Sequence, residues 1–189
     1  KRQRQTDASL IRIYFRYICV QNRSMYTEYQ PSHLLVPYID SYWEFKGNPD
    51  YGMRIHILPD GCTDFIFTLG AVANAVEEGS LIMQPYRSYF VGPMTKYSEL
   101  VTYTESIHMF GVRFLPCGLS CFTNLPLHEF VNSRVSTNEM KAVFDDTFIE
   151  KLGEQKHVTD RIRVVEEYLL AYLARHYQPA DSHVAMAVN

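Results

Sequence analysis

Apolar and polar positions alternate on both sides of a break in the stretch Met53 to Gly70, MRIHILPDGCTDFIFTLG. Period-two alternation predicts two strands, and the residues between them have turn chemistry. Pro59 presets φ for the first turn position, Asp60 tolerates the bridge region, and Gly61 can take a positive φ. The expected element is a hairpin with a three-residue loop and a bulge at Gly61. It sets Leu58 opposite Cys62, Ile55 opposite Phe65, Met53 opposite Phe67 and His56 opposite Asp64. One face is then apolar and the other carries Arg54, His56, Asp64 and Thr68. A slip of one residue would bury those polar groups, so the register should be firm.

The flanking segments carry the same pattern. In PSHLLVPYIDSYWEFK (31–46), Leu34, Leu35, Tyr38 and Ile39 suit a helical turn that leads into a strand, ahead of an Asn48-Pro49-Asp50 turn. The segment AVANAVEEGS after Gly70 reads as a loop or a fraying strand, and Leu81 to Met83 follows it. Strands are then expected at Ser88 to Val91, Tyr97 to Thr104 and Ser106 to Phe114, with Gly111 marking a bulge or close packing. Strands this close, separated by turn signals, indicate an antiparallel barrel or sandwich. Pro116 is read as the end of the sheet.

Beyond Pro116 the period changes from two to 3.6 residues. Short helical pieces are expected over Leu119 to Leu127. Thr137 or Asn138 is then expected to cap a helix with Met140, Val143, Phe144, Phe148 and Leu152 on one stripe, ending near Gly153. Thr159 or Asp160 opens the next helix, where Ile162, Val165, Leu169, Tyr172 and His176 follow 3-4-3 spacing. That spacing suits a dimer seam as well as an amphipathic helix packed on its own sheet. The expected fold class is α+β: an antiparallel, cupin-like β-barrel over about Ser41 to Phe114, followed by C-terminal helices. The domain plan is an N-terminal extension (1–25), a β-rich sensing domain (26–135), a helical pair for dimerisation or linkage (136–178) and the start of a further unit (179–189). Met25, where composition changes, is a candidate translational start, and the run HVAMAVN resembles a helix cut short.

At 189 residues, 47% of them apolar, with 14 Tyr and 11 Phe, the chain can bury a sizeable core. The net charge of −3 is unevenly spread: Lys1 to Met25 holds six basic residues and one acid, which leaves the remainder at −8. A body that acidic grips phosphate backbones poorly. Cys19, Cys62, Cys117 and Cys121 lack paired metal-ligand spacing, and no leader or membrane-spanning run appears, so a reduced cytoplasmic protein is expected.

No catalytic signature stands out, and neither enzymatic activity nor a cofactor is expected. The best metal set is His56, Asp60 and Asp64, joined by His108 from another strand, although Asp60 also serves the turn and His56 can simply pair with Asp64. Arg113, in an otherwise apolar strand, either pairs with a buried acid or meets an anionic ligand. Arg54 poses the same choice, and Trp43 either stacks on a ligand or belongs to the core. Cys117 and Cys121 read as small core residues, or as oxidant sensors if their thiols were acidified.

Several pieces taken together resemble the N-terminal, non-DNA-binding domain of AraC-type transcriptional regulators. They are PSHLLVPYIDSYWEF, ILPDGCTDFIF, YFVGPMT, FGVRFLPCGLSCF with PLHEF, and the helix RIRVVEEYLLAYLARH. One departure is Cys117, where relatives commonly have a small residue such as Gly. The resemblance implies a barrel-like sensing or dimerisation domain, a homodimer, and DNA contact only through a C-terminal helix-turn-helix part that begins at HVAMAVN. The effector is an unidentified small molecule, with Trp43, Arg54, His56 and Arg113 as pocket residues and Ile162, Val165, Leu169 and Tyr172 as the dimer seam. The competing expectations are a small metal-dependent cupin enzyme using His56, Asp64 and His108, and a dimerisation module without a ligand.

Overall fold

The computed structural model describes residues 25–57, 59–70, 75–76, 82–140, 143–144 and 146–176. The segments 1–24 and 177–189, with the N-terminal extension and the HVAMAVN run, lie outside them. Among the described residues nine strands are placed: β1 (Tyr26–Tyr29), β2 (Ile39–Gly47), β3 (Met53–Ile57), β4 (Thr63–Thr68), β5 (Ala75–Val76), β6 (Ser88–Val91), β7 (Ser98–Thr102), β8 (Ile107–Phe114) and β9 (Arg134–Ser136). Two helices follow, α1 (Asp146–Gly153) and α2 (Val158–His176). The strands form a six-stranded sheet, β1-β2-β8-β4-β6-β9, and a three-stranded sheet, β3-β7-β5. Every pairing is antiparallel, so the architecture is α+β with a mostly antiparallel sheet and C-terminal helices.

The six-stranded sheet is covered on both faces, and the alternation of its strands assigns each side chain to one of two cores. Tyr42, Phe65, Phe67, Phe90, Phe110, Val112 and Phe114 point to one side, where Phe144 and Phe148 close against them with Val165 and Leu169 of α2. Trp43, Phe45, Ile66, Tyr89, Val91, Ile107 and Met109 point to the other side, against Met53, Ile55 and Ile57 of β3. Burying each large apolar side chain contributes roughly 1.5–3 kcal/mol, so this double cover is the main source of stability. Across β2 and β8, Trp43 sits opposite Gly111. A Cβ at Gly111 would fall on the Trp43 indole, so the glycine marks close packing rather than a bulge.

The expected hairpin across Pro59-Asp60-Gly61 does not form. β3 pairs with β7, placing Ile55 opposite Leu100 and His56 opposite Glu99, whereas β4 lies between β6 and β8 in the other sheet. All six residues of β4 are buried, which requires partners on both edges and cover on both faces. Arg54 on β3 is exposed, which suits the smaller sheet. The turn therefore carries the chain from one sheet to the other. Pro116 does not end the sheet either, because Arg134–Ser136 returns to pair with β6.

Met140 has extended backbone and Thr137–Glu139 is a single 3-10 turn, so the first long helix begins at Asp146 rather than near Thr137. Of the expected stripe only Phe148 and Leu152 lie on this helix; Val143 and Phe144 precede it but are buried in the same core, and Met140 packs at its edge. In α2, Val165 and Leu169 are fully buried in the core of their own chain, with Ile162 and Tyr172 packed at its edge. In this fold the stripe is an intramolecular contact. Cys117 and Cys121 are exposed rather than in the core. Among the described residues, no helix is long and apolar enough to cross a membrane.

Candidate functional site

Between the two sheets lies a cavity of about 90 Å³. Phe45, Ile66 and Met109 of the large sheet and Ile55 and Ile57 of β3 form its apolar walls. Asp60, Cys62, Asp64, Arg113 and Trp43 bring polar groups to it, and Tyr26 of β1 also lines it. A mostly apolar chamber with a few convergent polar groups is the usual form of a small-molecule site.

The polar end is built by register. β4 and β8 set Asp64 opposite Arg113, so both side chains leave the sheet on the cavity face. Arg113 Nε donates to Asp64 Oδ1 at 3.1 Å and to Oδ2 at 3.2 Å, and Trp43 Nε1 donates to the same Oδ1 at 2.9 Å. Arg113 Nη1 lies 3.7 Å from Asp60 Oδ2. Asp60 Oδ1 accepts the Cys62 backbone N–H at 2.9 Å, the Asx bond that shapes the turn. Burial raises the Asp60 pKa against the field of Arg113, with Asp64 and Asp40 adding repulsion. Burial opposes the charge on Arg113, but Asp64, Tyr26 and Asp60 more than offset it and raise its pKa. Burial likewise pushes the Cys62 thiol up, helped by Asp60, so it is no ready nucleophile.

Two of the four residues expected in the pocket, Trp43 and Arg113, meet at this cavity, and Arg113 does so paired to a buried acid. Arg54 is exposed and is not among the lining residues, and the His56 side chain lies outside the described residues. The metal set of His56, Asp64 and His108 is not brought together. His108 is five positions from Arg113 on β8, hence on the opposite face of the sheet from Asp64. There its Nε2 is 2.9 Å from Glu44 Oε1. Among the described residues, no group of three His, Cys, Asp or Glu side chains is placed to hold a metal ion. Exposed Cys121 has its pKa raised by burial of the thiol and by Cys117, the reverse of what an oxidant-sensing thiol needs.

The face of β2 turned away from the cavity is bonded to the helices. Arg161 of α2 donates through Nη1 to Glu44 Oε1 at 3.2 Å, through Nε to Leu152 O at 3.2 Å and through Nη2 to Gln155 O at 2.6 Å. Glu166 Oε1 accepts from Tyr42 Oη at 3.3 Å and from the Ser32 backbone N–H at 2.7 Å. Tyr42 and Glu44, bound to α2, thus flank Trp43, which lines the cavity. Sequence reasoning missed this link, because its only signal is the alternation within YWE, and the partners lie more than a hundred positions away.

The fold and site define a two-sheet α+β domain that encloses a small, mostly apolar chamber. The chain belongs to the family described as Domain of unknown function (DUF6597), whose profile matches residues 27–136, from within β1 to the end of β9. No curated protein matches the sequence.

Proposed function

We propose that this domain senses a small molecule and passes its occupancy to an attached DNA-binding module, as the N-terminal domain of an AraC-type transcriptional regulator with a cupin-like barrel, working as a cytoplasmic homodimer. The observation that carries the reading is the double use of β2. Trp43 and Phe45 line the cavity, while Tyr42 and Glu44 on the reverse face hold α2 through Glu166 and Arg161. A ligand that shifts β2 therefore acts directly on the helix leading toward the C-terminus. Such coupling requires only that the ligand prefer one of two arrangements of β2 and α2. The sequence blocks that resemble AraC-type regulators extend the reading to DNA control.

The test is native mass spectrometry of this 189-residue chain purified from cells. The expected result is a dimer that releases a small organic molecule and loses that adduct in Met109→Trp, which fills the chamber. A monomer holding a stoichiometric metal ion would overturn the proposal and favour a metal enzyme.

A further inference from the structure

Resting on the sensing reading above, we propose that the cavity selects a compact amine, with its apolar body between the sheets and its protonated nitrogen donating to Asp60 Oδ2. The chamber of about 90 Å³ is about three times the ~30 Å³ that one water takes up in the liquid, so it suits only a small aliphatic body. Its walls are Phe45, Ile55, Ile57, Ile66 and Met109, which offer an aliphatic body dispersion contact and no hydrogen bonds.

The charge balance selects the head group. One guanidinium, Arg113, faces two carboxylates, Asp64 and Asp60, on the cavity wall. Asp64 has already engaged Arg113 Nε and Trp43 Nε1. A ligand carboxylate would be a third anion competing for that one cation, away from bulk water where like-charge repulsion is large. Asp60 Oδ2 differs from the other three carboxylate oxygens. Arg113 Nη1 stands 3.7 Å from it, an ion pair beyond N–H···O hydrogen-bond length, so the oxygen has room for a donor. The rings of Trp43 and Tyr26, stacked with centroids 6.0 Å apart, also line the chamber and favour a cation near their faces. Burial raises the Asp60 pKa, and a bound ammonium would act against that shift, as Arg113 does.

Trp43 is the only tryptophan in the chain, so its fluorescence reports this cavity alone. The experiment titrates the full chain with three probes of one shape: isopentylamine, isopentanol and isovalerate. The amine is expected to shift Trp43 emission saturably, with the alcohol at least about tenfold weaker and the acid silent. Asp60→Asn keeps an amide oxygen for the Cys62 N–H and so preserves the turn, but it should weaken the amine at least about tenfold. An unchanged circular dichroism spectrum and thermal midpoint would tie that loss to the missing charge. If isovalerate or isopentanol binds as well as the amine, or Asp60→Asn binds it unchanged, the amine proposal is overturned while the cavity stays a binding site. Silence of Trp43 toward all three probes overturns the amine proposal and the sensing role of this cavity together.

Discussion

Trp43 and Gly111 face each other across β2 and β8 so closely that the indole occupies the space a Cβ on residue 111 would need. Both belong to central strands, where backbone movement is resisted from either side. Gly111→Ala should therefore displace the indole, break its bond to Asp64 and cost about 2–3 kcal/mol, at the upper end for overpacking. Urea unfolding measures the cost, and a red shift in Trp43 emission reports the displacement. A normal midpoint with unshifted emission would show that the strands yield more readily than this contact implies.

Arg113 neutralises two carboxylates that water cannot reach freely. Arg113→Met keeps the apolar stem and removes the charge, leaving Asp64 and Asp60 facing each other without it. Breaking a buried pair from one side costs about 3–5 kcal/mol. Burial already raises the Asp60 pKa and Arg113 is what lowers it, so without the guanidinium Asp60 is harder to ionise in the folded state than in the unfolded one, and the deficit should shrink as pH falls through the carboxylate range. Chemical denaturation near neutral pH and again at about pH 4, where the acids take up protons, checks both the size and the sign.

How far the sequence discloses this fold is clearest in β4. Its pattern, Thr-Asp-Phe-Ile-Phe-Thr, announces a strand but not its neighbours, and a nearby turn makes β3 the natural guess. The true neighbours, β6 and β8, are selected by burial on both faces, a demand visible only when the whole sheet is assembled. β1 and β9 are too short for periodicity and exist because edges of β2 and β6 accept them. Within the site, Arg113 stands out as a charge in an apolar strand. Its partner Asp64 was readable as an acid, whereas the pairing itself depends on the β4–β8 register.

Cys117 has φ 64° and ψ −7°, left-handed geometry that a side chain with a Cβ adopts at a cost of about 1–2 kcal/mol. The same position is where the AraC-type resemblance leads one to expect a small residue such as Gly. Cys117→Gly should stabilise the protein by about 0.5–1 kcal/mol, since the relieved strain exceeds the added freedom of the unfolded chain. A thermal scan under reducing conditions tests this, and a lowered midpoint would contradict it.

His108 has its pKa lowered, chiefly by burial and further by Arg161 and Lys46, although Glu44 pulls the other way. The unfolded chain, with an ordinary imidazole near 6.5, then binds the proton more readily than the native state. Stability is therefore present above that value and is lost as pH falls through the window below it. His108→Gln retains a donor for Glu44 and removes the titration. Its urea midpoint should vary less than that of the parent between about pH 5.5 and 7. Parallel slopes would mean that the groups around His108 cancel its effect.

Arg161 ties together three elements through one side chain: the sheet at Glu44, the end of α1 at Leu152 O, and the connection to α2 at Gln155 O. These bonds need the planar guanidinium fork, because a lysine ammonium is a single point and cannot reach acceptors on different sides. Arg161→Lys should therefore keep the charge yet cost about 2 kcal/mol or more, with two buried carbonyls and Glu44 left to share one donor group. The position of the loss matters as much as its size. Hydrogen exchange should quicken over the start of α2 and the end of α1, while β4 and β8 stay protected by their double cover. If exchange rose evenly through the sheet, Arg161 would be a general prop and not the tie between β2 and the helices. If it rose only in the helices, the link from the cavity wall to α2 would run through this one side chain and the Tyr42–Glu166 bond beside it.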